Sequence, residues 1–162
     1  MPAPALTPLA AAVLHVPVPE RALVIGCGDG DAVLFLAREF PAARVRGVDP
    51  SEPLVRSAIA RVGLDPNGRV AFKLGKRGAL PYPDAYFDLV AQLDGRPVAA
   101  EIGRVLRPGA HLILAGARES GPMRAACGGL RRHRLLRRGI EPVQLGEAGD
   151  GNFFVGRLLP DG

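Results

Sequence analysis

The chain has 162 residues, 48% of them apolar and 23% charged, with a formal net charge of +5. Such a length and balance suit one domain with its own core and exclude a disordered or low-complexity chain. No apolar run approaches the roughly 20 residues of a membrane-spanning helix, and residues 1–19 are rich in Ala and Pro where a secretory leader would open on basic residues, so a cytoplasmic location is expected. Cys27 and Cys127 form no C-x-x-C pair and neighbour no histidine cluster. Neither a disulfide framework nor a metal site is expected, and both cysteines read as small buried fillers.

In chain order, residues 1–20 read as a short N-terminal segment with at most a short helix over 6–14, followed by a single domain over 21–160. A strand is predicted over 23–26, a helix over 31–40 and a second strand over 43–49. The next helix, 51–62, opens on Ser51 with Glu52 in its first turn and closes before Gly63. Strands follow over 69–74 and 87–92, then a helix over 98–106 that ends at Arg-Pro-Gly, and a fifth strand over 110–115. A helical stretch around 123–138 precedes two strand-like runs, 141–145 and 152–159. The Gly/Asp-containing turn at 146–151 would join these as an antiparallel hairpin. Alternating strand and helix periods predict an α/β fold, a doubly wound, mostly parallel sheet with helices on both faces.

The most informative segment is Val24-Ile-Gly-Cys-Gly-Asp-Gly30, an apolar strand running into glycines at alternate positions and then into a helix. Glycine there permits positive φ and close approach of a ligand to the backbone, and the helix that follows presents unpaired N–H groups to an anionic moiety. A dinucleotide fingerprint would need its third glycine at position 31, which is Asp, so nicotinamide and flavin cofactors are disfavoured. Asp49, about 20 residues further on at the tip of the second strand, can accept hydrogen bonds from both hydroxyls of a ribose. The alternative is a turn or capping Asp ahead of Pro50. Asp29 and Asp31 read as helix caps.

Five pieces in this order resemble a class I S-adenosylmethionine-dependent methyltransferase over roughly residues 20–160. They are the glycine turn, Gly47-Val-Asp-Pro-Ser51, Leu80-Pro-Tyr-Pro-Asp-Ala-Tyr-Phe-Asp-Leu-Val90, Glu101-Ile-Gly-Arg-Val-Leu-Arg-Pro-Gly109 and Gly151-Asn-Phe-Phe-Val155. The resemblance implies a Rossmann-like seven-stranded sheet whose last strand is antiparallel, and S-adenosylmethionine as cofactor. It implies a cofactor site built from Gly26, Cys27, Gly28, Gly30, Asp49, Pro50, Arg77 and Gln92, with the glycines against the methionine part and Pro50 and backbone near Arg77 and Gly78 against adenine.

Four features depart from the family's usual pattern, the mildest being Ala110 in place of the second glycine of a Pro-Gly-Gly turn. Val24 stands where an acid is usual two positions before the first glycine, and Lys76 stands in the stretch after the third strand that often offers an acid to adenine. The connection 91–97 also replaces a longer segment, so the site is expected to be open, which suits a macromolecular acceptor, a partner subunit or a binding protein without turnover. The activity implied is methyl transfer to an unidentified acceptor; the alternative is a catalytically degenerate, methyltransferase-like binding or scaffolding subunit. No catalytic residue is assigned. Asp94, Gln92, Tyr82 and His15 are candidates for assisting proton removal, with the simpler readings a turn residue for Asp94, a structural residue for His15 and packing for Tyr82 and His111. The run Arg131, Arg132, Arg134, Arg137 and Arg138 could bind nucleic-acid phosphate or an acidic partner, or could be a solvated helix face.

Overall fold

The computed structural model describes residues 6–63, 65–93, 96–117 and 129–160. A seven-stranded sheet carries the fold: β1 (Arg21–Ile25), β2 (Arg44–Asp49), β3 (Val70–Leu74), β4 (Phe87–Leu93), β5 (Leu106–Ala117), β6 (Ile140–Ala148) and β7 (Gly151–Leu158). Their order is β3-β2-β1-β4-β5-β7-β6. All pairs are parallel except those made by β7, which runs antiparallel to both β5 and β6. The expected doubly wound sheet with an antiparallel last strand is therefore the observed one.

Strict side-chain alternation sorts the strands' apolar residues onto two faces. Ala22, Val24, Leu89, Ala91, Ile113, Ala115, Phe153 and Val155 point to one cluster, shared with α1 (Leu6–Ala12) and α2 (Asp31–Glu39). Leu23, Ile25, Val90, Leu112, Leu114 and Phe154 point to the other, under α4 (Ala99–Val105) and α5 (Gly129–Arg137). The remaining helix, α3 (Glu52–Val62), lies on β2 and β3. Leu9 and Ala12 of α1 are fully buried, so residues 6–12 share the core of the sheet.

Local chemistry sets the ends of these elements. Ser51 caps α3, its Oγ accepting from the Leu54 N–H at 3.4 Å, and Gly63 closes it at φ 69°. Arg69, ahead of β3, donates to the carbonyls of Ala37, Phe40 and Ala43 and so satisfies the end of α2. Asp88 accepts from the N–H groups of Glu20 and Arg21 at 2.8 and 2.9 Å, which pins the start of β1 to β4.

Several boundaries differ from the sequence reading, most clearly at β5 and in the last hairpin, where β6 runs on to Ala148 and β7 starts at Gly151, so the turn expected at 146–151 shrinks to residues 149–150. β5 begins at Leu106 instead of at 110, because Leu106 pairs with Phe87 before pairing resumes at Leu89 and His111. The Arg-Pro-Gly segment is a bulge inside that pairing, with Gly109 at φ 82°, where it was expected to be the link between helix and strand. The helical stretch expected around 123–138 is described from Gly129 onward; Met123 and Cys127 lie outside the described residues.

Candidate functional site at the carboxyl edge of the sheet

Strand order reverses between β1 and β4, and in an open α/β sheet such a switch point leaves a crevice at the carboxyl ends of the strands. Four segments meet there: the glycine turn after β1, Asp49 ending β2, residues 75–79 after β3, and Gln92 with Leu93 ending β4.

The glycine turn is tied down from β2. The carbonyl of Val48 accepts from the N–H groups of both Gly26 and Cys27, at 2.9 and 3.1 Å. Asp49 completes the anchorage: Oδ2 accepts from the Gly28 N–H at 3.1 Å and Oδ1 from the Ser51 N–H at 2.9 Å. Its side chain is only 8% exposed, yet a carboxylate offers about four acceptor positions, so each oxygen keeps capacity for a further donor. Ser51, and not Asp49, caps the following helix.

The glycines divide by surroundings. Gly28, at φ 54°, faces open space, and a Cβ there would meet nothing within 4 Å. A Cβ on Gly26, at φ 75°, would lie 3.2 Å from Nη2 of Arg77 and 3.3 Å from the carbonyl oxygen of Leu93. Gly30 faces the other way: a Cβ there would lie 3.1 Å from the Phe72 ring, so its missing side chain lets α2 and the turn close over β3. Gly47 is tighter still, with Phe72, Cys27 and Val33 all within 2.9 Å of the position a Cβ would take.

Arg77 arrives from the loop after β3, a tight turn closed by the Ala79 N–H on the Lys76 carbonyl at 3.1 Å. The sequence pointed to backbone near Arg77; the fold instead brings the guanidinium itself to the glycine turn. Its Nε is buried without a hydrogen-bond partner among the described residues. An unsatisfied buried donor costs about 1–3 kcal/mol, which an anionic or acceptor group of a ligand would offset. Lys76 is exposed, as is Pro50 beside Asp49. Gln92 is fully buried at the end of β4, on the face covered by α4 and α5.

Of the remaining reactive groups, Cys27 and Tyr82 are held protonated by burial. Burial, reinforced by Asp49, pushes the Cys27 thiol up to about 12, so it stays protonated near neutrality. Tyr82 is buried edge-on against Phe87, its hydroxyl unpartnered among the described residues, and burial pushes its pKa well above the usual phenol value. His15 is exposed and stacks on Phe153 at 5.7 Å, whereas burial and then Arg157 lower the pKa of half-buried His111. Asp29 and Asp31 do not cap α2, whose N-cap is Gly30 with no side-chain bond; both instead face Arg61. Asp94 lies outside the described residues, as do the side chains of Arg131 and Arg132.

Comparison with known proteins agrees with this architecture. The methyltransferase domain family model matches residues 22–109. A demethylmenaquinone methyltransferase of Thermus thermophilus is 34% identical over 151 residues, which are 88% of this chain and 66% of that protein. The 27-O-demethylrifamycin SV methyltransferase of Amycolatopsis mediterranei is 37% identical over 117 residues, covering 67% of this chain and 43% of the relative. The chain thus spans between about two fifths and two thirds of the length of these relatives. Among solved structures, a SAM-dependent methyltransferase from Aquifex aeolicus superposes with a TM-score of 0.75 at 18% identity, over 93% of this chain and 89% of that one. A Haloferax volcanii methyltransferase solved in complex with the Trm112 activator gives 0.76 at 19% identity, over 94% and 89%. These two likenesses speak for the fold. Five motifs in register, the reversed strand β7 and the matched family model together place the chain in the class I S-adenosylmethionine-dependent methyltransferase family.

Proposed function

We propose that this domain binds S-adenosylmethionine across the glycine turn and transfers its methyl group to an organic acceptor. One observation carries the reading: at the strand switch point a glycine N–H and a buried carboxylate hold each other beside open space, at Gly28 and Asp49. The remaining acceptor capacity of Asp49 suits a ribose diol. Gly26 and Gly28 let the methionine part lie on the backbone, and the orphaned Nε of Arg77 suits its carboxylate. Pro50 offers an exposed face to adenine. Cys27, Gly30 and Gln92 serve by filling and shaping the turn and the end of β4.

The cofactor supplies a sulfonium-activated methyl group, and this chain's part is to hold donor and acceptor in line. Methyl transfer makes little demand for a base, consistent with the protonated state of Cys27 and Tyr82. The relatives named for demethylmenaquinone and for a demethylrifamycin support methyl transfer as the reaction class and differ in acceptor. The Haloferax methyltransferase was solved with an activator protein, which supports a second reading in which a partner subunit completes the open site.

Calorimetric titration with S-adenosylmethionine and S-adenosylhomocysteine tests the proposal, on the wild type, Asp49→Ala and Gly28→Asn. Saturable binding that both substitutions weaken at least about thirtyfold is expected. Asn tolerates the left-handed φ of position 28 while projecting into the open space, so loss of affinity in a folded Gly28→Asn locates the ligand there. A folded wild type that binds neither compound would overturn the reading and favour the partner-dependent or non-catalytic subunit.

A further inference from the structure

We propose that the cleft between the β4–α4 connection and α5 is an anion-anchoring subsite, and that it holds a phosphate or diphosphate group of a small-molecule methyl acceptor. The acceptor part of this inference rests on the methyl-transfer reading above; the anion site stands on its own geometry. The cleft has a volume of about 500 Å³, and Arg96, Arg134, Arg137 and Arg138 contribute to its walls beside Ala99 and Ala100. A deeper recess of about 60 Å³ shares Arg96 and Arg134 and reaches Leu135. Among the described residues, no carboxylate lines either space. None of the four arginines forms an ion pair among the described residues, whereas Arg56, Arg61, Arg104 and Arg107 each face an acid.

Arg96 comes from the connection after β4 and the others from the end of α5, so two separate elements bring like charges together. All four are exposed, so water and salt damp their mutual repulsion, and an anion held between them relieves what remains. A solvated face confined to α5 would not account for Arg96, which lines the same cleft from a second element. Guanidinium forks match phosphate oxygens in pairs, and four of them suit a multiply charged group better than a lone carboxylate. With no aromatic residue in its walls among the described residues, the cleft lacks the stacking platforms of a single-stranded nucleic-acid surface, so a small phosphorylated molecule is the better fit.

The cleft is joined to the glycine turn by a short stretch of chain. The Leu93 carbonyl oxygen lies 3.3 Å from the position of a Gly26 Cβ, and Arg96 follows three residues later. Three residues span at most roughly 11 Å of backbone, so a molecule anchored at Arg96 can extend an organic end to the glycine turn.

Titration of the full chain with inorganic pyrophosphate tests this, with inorganic phosphate as a parallel arm that separates a diphosphate from a monophosphate preference. Saturable binding is expected, weakened about tenfold or more in Arg96→Gln and in the double variant Arg134→Gln/Arg137→Gln, and weakened by added salt. Arg56→Gln, on an exposed pair of α3, should bind as the wild type does. The same samples are titrated with S-adenosylmethionine, whose binding should be unchanged by the cleft substitutions and by saturating pyrophosphate. Absence of saturable binding of either anion to folded wild type, or equal binding by the cleft variants, overturns the subsite. So does an RNA oligonucleotide that depends on these arginines and is not displaced by pyrophosphate, since that would make them a nucleic-acid face. Mutual exclusion of pyrophosphate and S-adenosylmethionine overturns the acceptor role. If pyrophosphate binds as expected and S-adenosylmethionine does not, the methyl-transfer reading fails and the anion site survives.

Discussion

The glycine turn and the Arg104 clamp are both polar assemblies built from chain segments far apart in sequence, and they differ in how completely their hydrogen bonds are closed. Arg104 donates to the carbonyls of Leu80 and Tyr82 and to the carboxylates of Asp84 and Glu101, all between 2.8 and 3.0 Å, and Glu101 in turn accepts from the Leu80 N–H. Its donors are spent on the chain itself, locking the segment before β4 onto α4. At the glycine turn, Asp49 keeps spare acceptor capacity, Arg77 keeps an unpaired Nε and Gly28 faces open space. A closed network serves the fold, and an open one held equally firmly is what a ligand site needs.

Four substitutions would break or sharpen that contrast. The largest effect is expected from Arg104→Ala, which strands two backbone carbonyls and the half-buried Glu101; a loss of about 3 kcal/mol in chemical denaturation is expected, with any cofactor affinity unchanged in the folded fraction. Next comes Gly28→Asn, which should leave the denaturation midpoint within about 0.5 kcal/mol of wild type while weakening S-adenosylmethionine at least about thirtyfold, or about 2 kcal/mol. Equal stability losses in the two variants would erase the distinction drawn between the regions.

Acid titration sharpens it further. The Arg104 hydrogen bond, with help from the Leu80 N–H, holds the Glu101 pKa below its ordinary value of 4.5. A lowered folded-state pKa means that this stabilisation is fully present above about 4.5 and is lost as pH falls through the lower folded value. Glu101→Gln should therefore lower stability at neutral pH by about 1–2 kcal/mol and flatten the decline seen below pH 4.5 in pH-dependent denaturation. The smallest effect is expected at exposed Lys76: Lys76→Asp places an acceptor near the proposed adenine position and should tighten S-adenosylmethionine about threefold by calorimetry, with stability unmoved.

Much of the fold was legible in the sequence because it rests on local rules. Period-two runs bounded by Gly, Pro or Asp fell on β1 to β4 and on the β6–β7 hairpin, and Ser51 and Gly63 marked the ends of α3 through their own capping chemistry. The start of β5 was not legible, because Arg-Pro-Gly reads as a stop in any local window and only the pairing of Leu106 with Phe87 carries the strand past it. The same limit applies to the two aspartates at 29 and 31, whose partner Arg61 belongs to another helix.

The candidate site divides along the same line. The spacing of Gly26, Gly28 and Gly30, and the place of Asp49 one strand later, are visible in sequence because a strand-to-helix turn with positive φ at alternate positions selects glycine and the next strand ends on an acid. That Gly30 serves packing on Phe72, that Asp49 braces the Gly28 N–H, and that Arg77 swings its guanidinium to Gly26 were decided only by tertiary structure. So was the meeting of Arg96 with Arg134, Arg137 and Arg138. Conformational demands of the backbone are written residue by residue, whereas a side chain's partner depends on which distant segment the sheet order brings beside it.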